Sequence, residues 1–233
     1  MLAPASLWVA CGRRRQAGFT LIELMVTLVV FVILCLLAMP SFNTWIANDR
    51  VRVIGEDMAN GLRLARSEAL RRSRQTVFAL TNESNPAGAT TSAGAPGYTA
   101  AAGDASNWAV SVIPSLMDST GVFVRGGTLT RDIGTGVIIN GPAAVCFDPL
   151  GNMVTDASAV TSTGVGSSCS APPSSQPAQI YAVKSASSAG DHPLQIEVEL
   201  GGEVRLCNPA RSLSDSTPGA SEGCRYALST SPP

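Results

Sequence analysis

The chain has 233 residues, of which 14% are charged and 5% aromatic, and a formal net charge of −1. That length holds one ordinary domain with a separate anchor, and so little charge excludes a protein that coats nucleic acid. The balance hides an asymmetry. From Asn43 to Gln75 seven arginines face four acids, whereas from Thr76 onward six bases face twelve acids, so an anionic partner would meet a local patch, not the molecule as a whole.

In chain order, Arg13, Arg14 and Arg15 precede an apolar run from Phe19 to Met39 whose only charge is Glu23. As a helix this run spans about 31 Å, against about 30 Å for a bilayer core. The basic triplet keeps the leader cytoplasmic and sends the rest across the membrane. A cleaved secretory signal is a poor fit because "CLLAMPSF" lacks the small residues of its cleavage site. A lipoprotein signal ending at Cys11 fails because the apolar stretch before it is too short, and no twin-arginine pattern follows the triplet. Glu23 is the anomaly: a carboxylate deep in a lone membrane helix costs about 2.5–3.5 kcal/mol, so an intramembrane acid calls for a function.

The segment Gly18-Phe19-Thr20-Leu21-Ile22-Glu23 closely resembles a type IV prepilin signal. The resemblance implies a prepilin peptidase cutting between Gly18 and Phe19, N-methylation of Phe19, and a role for Glu23 in assembly. The physical argument agrees. Cleavage exposes a new amine one helical turn from Glu23, and in a bundle of packed helices the carboxylate can meet the amine of a neighbouring pilin, pairing two stranded charges.

Pro40 ends the apolar run without having to end the helix. Beyond it Ile54, Met58, Leu62, Ala65 and Ala69 recur at helical spacing and predict a buried stripe to about Ser73. Arg63, Arg66, Arg71 and Arg74 fall largely off that stripe, and Glu68 is spaced to pair with Arg71 or Arg72. After Gln75 the pattern turns to short strands: Thr76–Leu80, Trp108–Ile113, Val122–Val124, Gly136–Asn140, Ala144–Phe147, Ile180–Lys184, Leu194–Leu200 and Glu203–Cys207. In "QIEVEL" apolar and charged positions alternate, which predicts a sheet with one wet face carrying Glu197 and Glu199. Asn82–Asn107 and Thr155–Pro177 are read as long surface loops.

The expected class is α+β, one long helix against antiparallel sheet. The chain divides into a leader (1–18), a membrane half-helix (19–40), an amphipathic half-helix (41–75), a β-rich domain (76–207) and a flexible, disulfide-tethered tail (208–233). "ARSEALRR", entering a strand directly, resembles the FimT/GspH group of minor pilins and type II secretion pseudopilins, as do "FDPLGN" and "GGEVRLCNP". That resemblance implies a type IV pilin-like fold. It also implies an inner-membrane, single-span protein with an exported domain, whose partners are other major and minor pilins. The late cysteines and extended tail favour the FimT side, with a type II secretion pseudopilin as the rival.

Cys146, Cys169, Cys207 and Cys224 lack the close paired spacing of a zinc site, and in an exported domain they predict two disulfides. Three pairings are open. The combination 146–169 with 207–224 is preferred because each bond closes a local loop, worth about 3 kcal/mol apiece in the loop-entropy model. No catalytic site, metal or cofactor is expected, since the single histidine, His192, stands before Pro193 in a turn and no phosphate-binding glycine pattern is present. Some FimT-like pilins are associated with DNA uptake through a Gly-Arg-x-Arg motif. The matching place here reads Gly202-Glu203-Val204-Arg205, leaving Arg205, Arg211 and Arg225 as the candidate DNA contacts.

Overall fold

The apolar stripe decides how the helix packs. In the computed structural model, which describes residues 18–83, 98–101, 103, 105–114, 121–129, 136–154, 169, 172, 176–186, 192–213 and 222–226 (backbone alone at 38–41 and 212), helix α1 runs Leu21–Arg72. Two compact units result, Met1–Phe42 and Asn43–Pro233. Within the second, Ile54, Met58, Leu62, Ala65 and Ala69 are all buried, joined by Val51 and Ala59, as residues on one face of a 3.6-residue repeat should be. The helix stops at Ser73, which takes a left-handed φ of 49°. The amide of Ser73 donates to Leu70 O (3.4 Å) and that of Arg74 to Ala69 O (3.3 Å). This is a Schellman cap with serine in the place usually given to glycine.

Among the described residues nine strands follow: β1 (Thr76–Thr81), β2 (Asn107–Val112), β3 (Val122–Thr128), β4 (Val137–Asn140), β5 (Ala144–Phe147), β6 (Ala178–Ser185), β7 (Leu194–Glu199), β8 (Val204–Ser212) and β9 (Gly223–Cys224). They form one sheet ordered β3-β2-β1-β5 and another ordered β4-β6-β7-β8-β9. All pairings are antiparallel except β8 with β9. The buried face of α1 lies in one core with Phe78, Leu80, Trp108, Val110, Val145 and Phe147 of the first sheet and Tyr181, Val183, Ile196 and Val198 of the second. Two features seat the helix. A Cβ at Gly61 would come within 2.9 Å of Phe78 and 3.0 Å of Trp108, so glycine permits the close approach. Nearby, Trp108 Nε1 donates to Asp57 Oδ2 at 2.6 Å.

Strands β1, β2 and β5 of the first sheet are buried on both faces, while the edge strand β3 is partly exposed. Val77, Ala79, Ala109, Ala144 and Cys146 point away from α1 into a second cluster with Tyr98 and Cys169, which is why β1 and β2 read as near-continuous apolar runs. A Cys146–Cys169 disulfide closes that cluster, and a Cys207–Cys224 disulfide joins β8 to β9.

The structure departs from the sequence reading in the tail and on one strand face. Strand β8 continues through Ser212 into residues expected to be flexible, and β9 was not expected at all. Glu197, expected on a wet face, is fully buried. The leader residues 1–17 and most of the two expected loops lie outside the described residues.

Candidate functional site

Two places gather the chemistry-bearing residues: the start of α1 and the outer face of the second sheet.

Gly18, Phe19 and Thr20 precede the helix without regular structure. The Glu23 amide donates to Thr20 Oγ1 at 3.3 Å, so Thr20 is the N-cap and Glu23 the third helical residue, the spacing of a capping box. The predicted cleavage junction, Gly18–Phe19, therefore sits in irregular chain just ahead of the first turn. A Cβ on Gly18 would meet nothing within 4 Å. From Phe19 to Leu37 every described residue is exposed, including Phe19 at 83%, and Glu23 remains the only charge. The Thr27 hydroxyl on the same surface turns back onto Leu24 O at 3.0 Å, which satisfies that donor within the helix. Among the described residues no single helix is long and apolar enough to cross a membrane; Leu21–Leu37 and Phe42–Arg72 taken together meet that criterion by length and composition alone.

On the second sheet the chain returns as a strap, Glu222–Tyr226, across the polar side of β7. The Cys207–Cys224 bond tethers it, and Arg205 Nη2 donates to Gly223 O at 3.1 Å. The Tyr226 amide donates to Glu197 Oε1 at 2.9 Å, and Gln195 Nε2 donates to Tyr226 O at 2.8 Å and to Glu197 Oε1 at 3.1 Å. Arg225 pairs with Glu199 and lies 3.7 Å from Glu203, and Arg211 lies 3.6 Å from Glu222. The hydrogen bond and charge of Glu199 raise the pKa of Arg225 further, fixing it as a cation. The three arginines singled out for DNA are thus brought to one region, but among carboxylates, and a phosphate there must compete with groups already in place.

Ligand atoms of Glu197, Cys207 and Cys224 lie within 4.8 Å of one another. Both sulfurs are bonded to each other, so this trio offers a metal no thiolate. His192 is exposed in the coil before β7.

Residues 13–39 match the prokaryotic N-terminal methylation motif, and residues 55–188, more than half of the chain, match the family described as type II transport protein GspH. The chain belongs to the GspH family. Its fold is accordingly that of the type IV pilins and pseudopilins, a long N-terminal helix followed by antiparallel sheet. Two crystal structures of the type IV minor pilin FimU from Pseudomonas aeruginosa PAO1 are similar at 13% identity. The P21 form covers 68% of this chain and 88% of its own length with a TM-score of 0.40; the P65 form covers 66% and 90% with a TM-score of 0.36. No curated protein is significantly similar.

In this GspH-family protein the motifs that carried the resemblance meet at one arginine. Arg66, within "ARSEALRR", donates from Nε to Gly151 O (3.2 Å) in the "FDPLGN" turn and from Nη2 to Gly201 O (3.1 Å) in the turn before β8. Asp148 closes the first turn by accepting the amides of Leu150 and Asn152, both at 2.8 Å. Arg63 Nη2 adds a bond to Val204 O at 3.3 Å. Sequence reasoning placed these arginines off the core stripe but assigned them no partner. It also passed over Thr20, which the capping-box spacing Thr-x-x-Glu signals, and Tyr226, which nothing in the sequence distinguishes.

Proposed function

We propose that this GspH-family protein is a minor subunit of a type IV pilus-type fibre, FimT-like in character and active in its priming and assembly. A prepilin peptidase cuts between Gly18 and Phe19, the new Phe19 amine is methylated, and the subunit waits in the inner membrane as a single-span protein with its domain exported. Docking then moves α1 from lipid into a bundle of pilin helices, where Glu23 meets the terminal amine of a neighbour.

The observation that carries this reading is the start of α1, an apolar surface exposed on every side with one carboxylate in its first turn. Lipid alone gives that carboxylate no partner, whereas a processed neighbour does. Disulfides at Cys146–Cys169 and Cys207–Cys224 suit an oxidising, exported compartment. Replacing Glu23→Ala tests the reading: the protein is expected to be cleaved and retained in the membrane while piliation or pilus-dependent motility is lost. Normal pili would refute it.

The family's description as a type II transport protein favours a pseudopilus as the second reading. Helix docking is the same in both, and the phenotype separates them, since the Glu23→Ala strain then fails in protein export and not in piliation. DNA uptake draws no comparable support, because Arg211 and Arg225 are matched by Glu222, Glu199 and Glu203.

A further inference from the structure

The strap Glu222–Tyr226 covers the polar face of β7. On β7 the apolar side chains Ile196 and Val198 point into the core, while Gln195, Glu197 and Glu199 form the opposite face. That composition is what water would accept, yet Gln195 and Glu197 are fully buried beneath the strap. Burial of polar atoms is tolerated when they are paired, and each unpaired acceptor carries a desolvation penalty. Here the pairing is incomplete: among the described residues Glu197 Oε2 and Gln195 Oε1 have no hydrogen-bond partner. The strap brings two groups to these residues, the Tyr226 amide as donor and the Tyr226 carbonyl as acceptor, and turns its one guanidinium, on Arg225, outward to Glu199 and Glu203. The face therefore offers more acceptors than its cover supplies donors, and the surplus includes a carboxylate oxygen, which a guanidinium fits well.

We infer that the face formed by Gln195, Glu197, Glu199 and Glu203 is a docking site for an arginine-bearing extended segment of another subunit, and that the Cys207–Cys224 strap is its built-in occupant. The incoming segment adds as a strand alongside β8, where β9 now lies, and its guanidinium meets the carboxylates of this face. The identity of the donor as another pilin-type subunit rests on the assembly reading above; the chemistry of the face does not.

Tethering sets the order of events. A covalently held strap acts at an effective concentration of about millimolar, so a free segment does not displace it. Cys207 and Cys224 are 3% and 9% exposed, which shields the closed bond from attacking thiolates. The open face therefore belongs to the dithiol form, before oxidation. Closure then follows by thiol–disulfide exchange with a disulfide-carrying oxidant. Cys207 and Cys224 lose two electrons and two protons as their S–S bond forms, and the oxidant's disulfide is reduced to its dithiol. A segment that arrives first keeps the strap off.

The test uses the full chain in detergent and a fluorescent peptide with the sequence of residues 222–228, serine replacing the cysteine. The Cys207→Ser/Cys224→Ser variant is expected to bind the peptide saturably, the disulfide-intact protein at least tenfold more weakly. Placing Glu in the peptide at its arginine, or Glu199→Gln in the protein, is expected to lower binding about tenfold. A second opening, Arg225→Glu with both cysteines intact, sets like charges against Glu199 and Glu203 and should give partial binding. Amide exchange at β7 reports folding throughout. Absence of peptide binding while β7 stays protected overturns the inference. So does loss of β7 protection in both variants, since the strap is then a staple and not a cover. Either failure leaves the Glu23 reading standing, because no fibre is assembled in the assay.

Discussion

Gly201 and Gly202 are adjacent in sequence, yet the structure predicts opposite outcomes for the same substitution. Gly202 has φ +75°, and a Cβ there would stand 1.9 Å from Gly151 O and 2.9 Å from Arg66 Nε; a Cβ on Gly201 meets nothing within 4 Å. A left-handed backbone costs an L-residue about 1–2 kcal/mol. Relieving the overlap must push the Gly151 carbonyl away, and overpacking of this kind costs about 1–3 kcal/mol. The same carbonyl accepts the Arg66 bond, which is strained or lost. Gly202→Ala is therefore expected to destabilise the exported unit by about 3–5 kcal/mol, a shift in Tm on the order of 10 °C. Gly201→Ala is expected to stay within about 0.5 kcal/mol of the parent. Guanidinium unfolding followed by tryptophan fluorescence, with Trp108 in the core, measures both. Equal midpoints for the two variants would refute the claim that the turn before β8 is locked against the Gly151 turn.

Gly18→Ala is expected to leave stability unchanged, because its Cβ enters open space, while abolishing leader removal; an immunoblot of precursor and mature forms reads the outcome. Glu68 bonds to Arg71 (2.6 Å) and Arg72 (2.7 Å), and hydrogen bonds from Arg71 and then Arg72 lower its pKa from 4.5 to about 2. A folded-state pKa below the unfolded one gives stability that is present above pH 4.5 and fades as pH falls toward 2. Glu68→Gln should flatten that acid limb by about 1 kcal/mol after allowance for solvent screening, as acid titration of circular dichroism would show. Tyr181 is fully buried with its hydroxyl unpartnered among the described residues, and burial raises its pKa. Tyr181→Phe removes the orphan group at nearly constant shape and should stabilise by about 1 kcal/mol in the same unfolding assay.

What the sequence showed was whatever depends on local periodicity. The stripe Ile54–Ala69 is buried where a 3.6-residue repeat places it, and Glu68 bridges both arginines offered to it. Strand β5 has its expected bounds, while β3 and β8 run longer than expected, since edge and polar segments are held by ladder bonds that leave no apolar signature. Glu197 was misread for a related reason. The alternation in "QIEVEL" assigns faces correctly but cannot say whether a distant segment lies over the polar one. That depends on Cys224 and Tyr226, brought back by a disulfide across residues with no pattern of their own. The roles of Arg63 and Arg66 were hidden similarly, because their acceptors are backbone carbonyls on turns far along the chain.

The junction between α1 and the first sheet has a mechanical consequence. Only Ser73, Arg74 and Gln75 separate α1 from β1, and the Arg74 guanidinium and Ile113 amide stitch this link to the end of β2, at 2.9 Å each. Tension drawn along the helix enters at Thr76, the first residue of an interior strand flanked by β2 and β5. Such a strand is loaded in shear, so its rungs must fail together instead of unzipping in turn. A domain wired this way resists a pull on its helix as one unit before it yields.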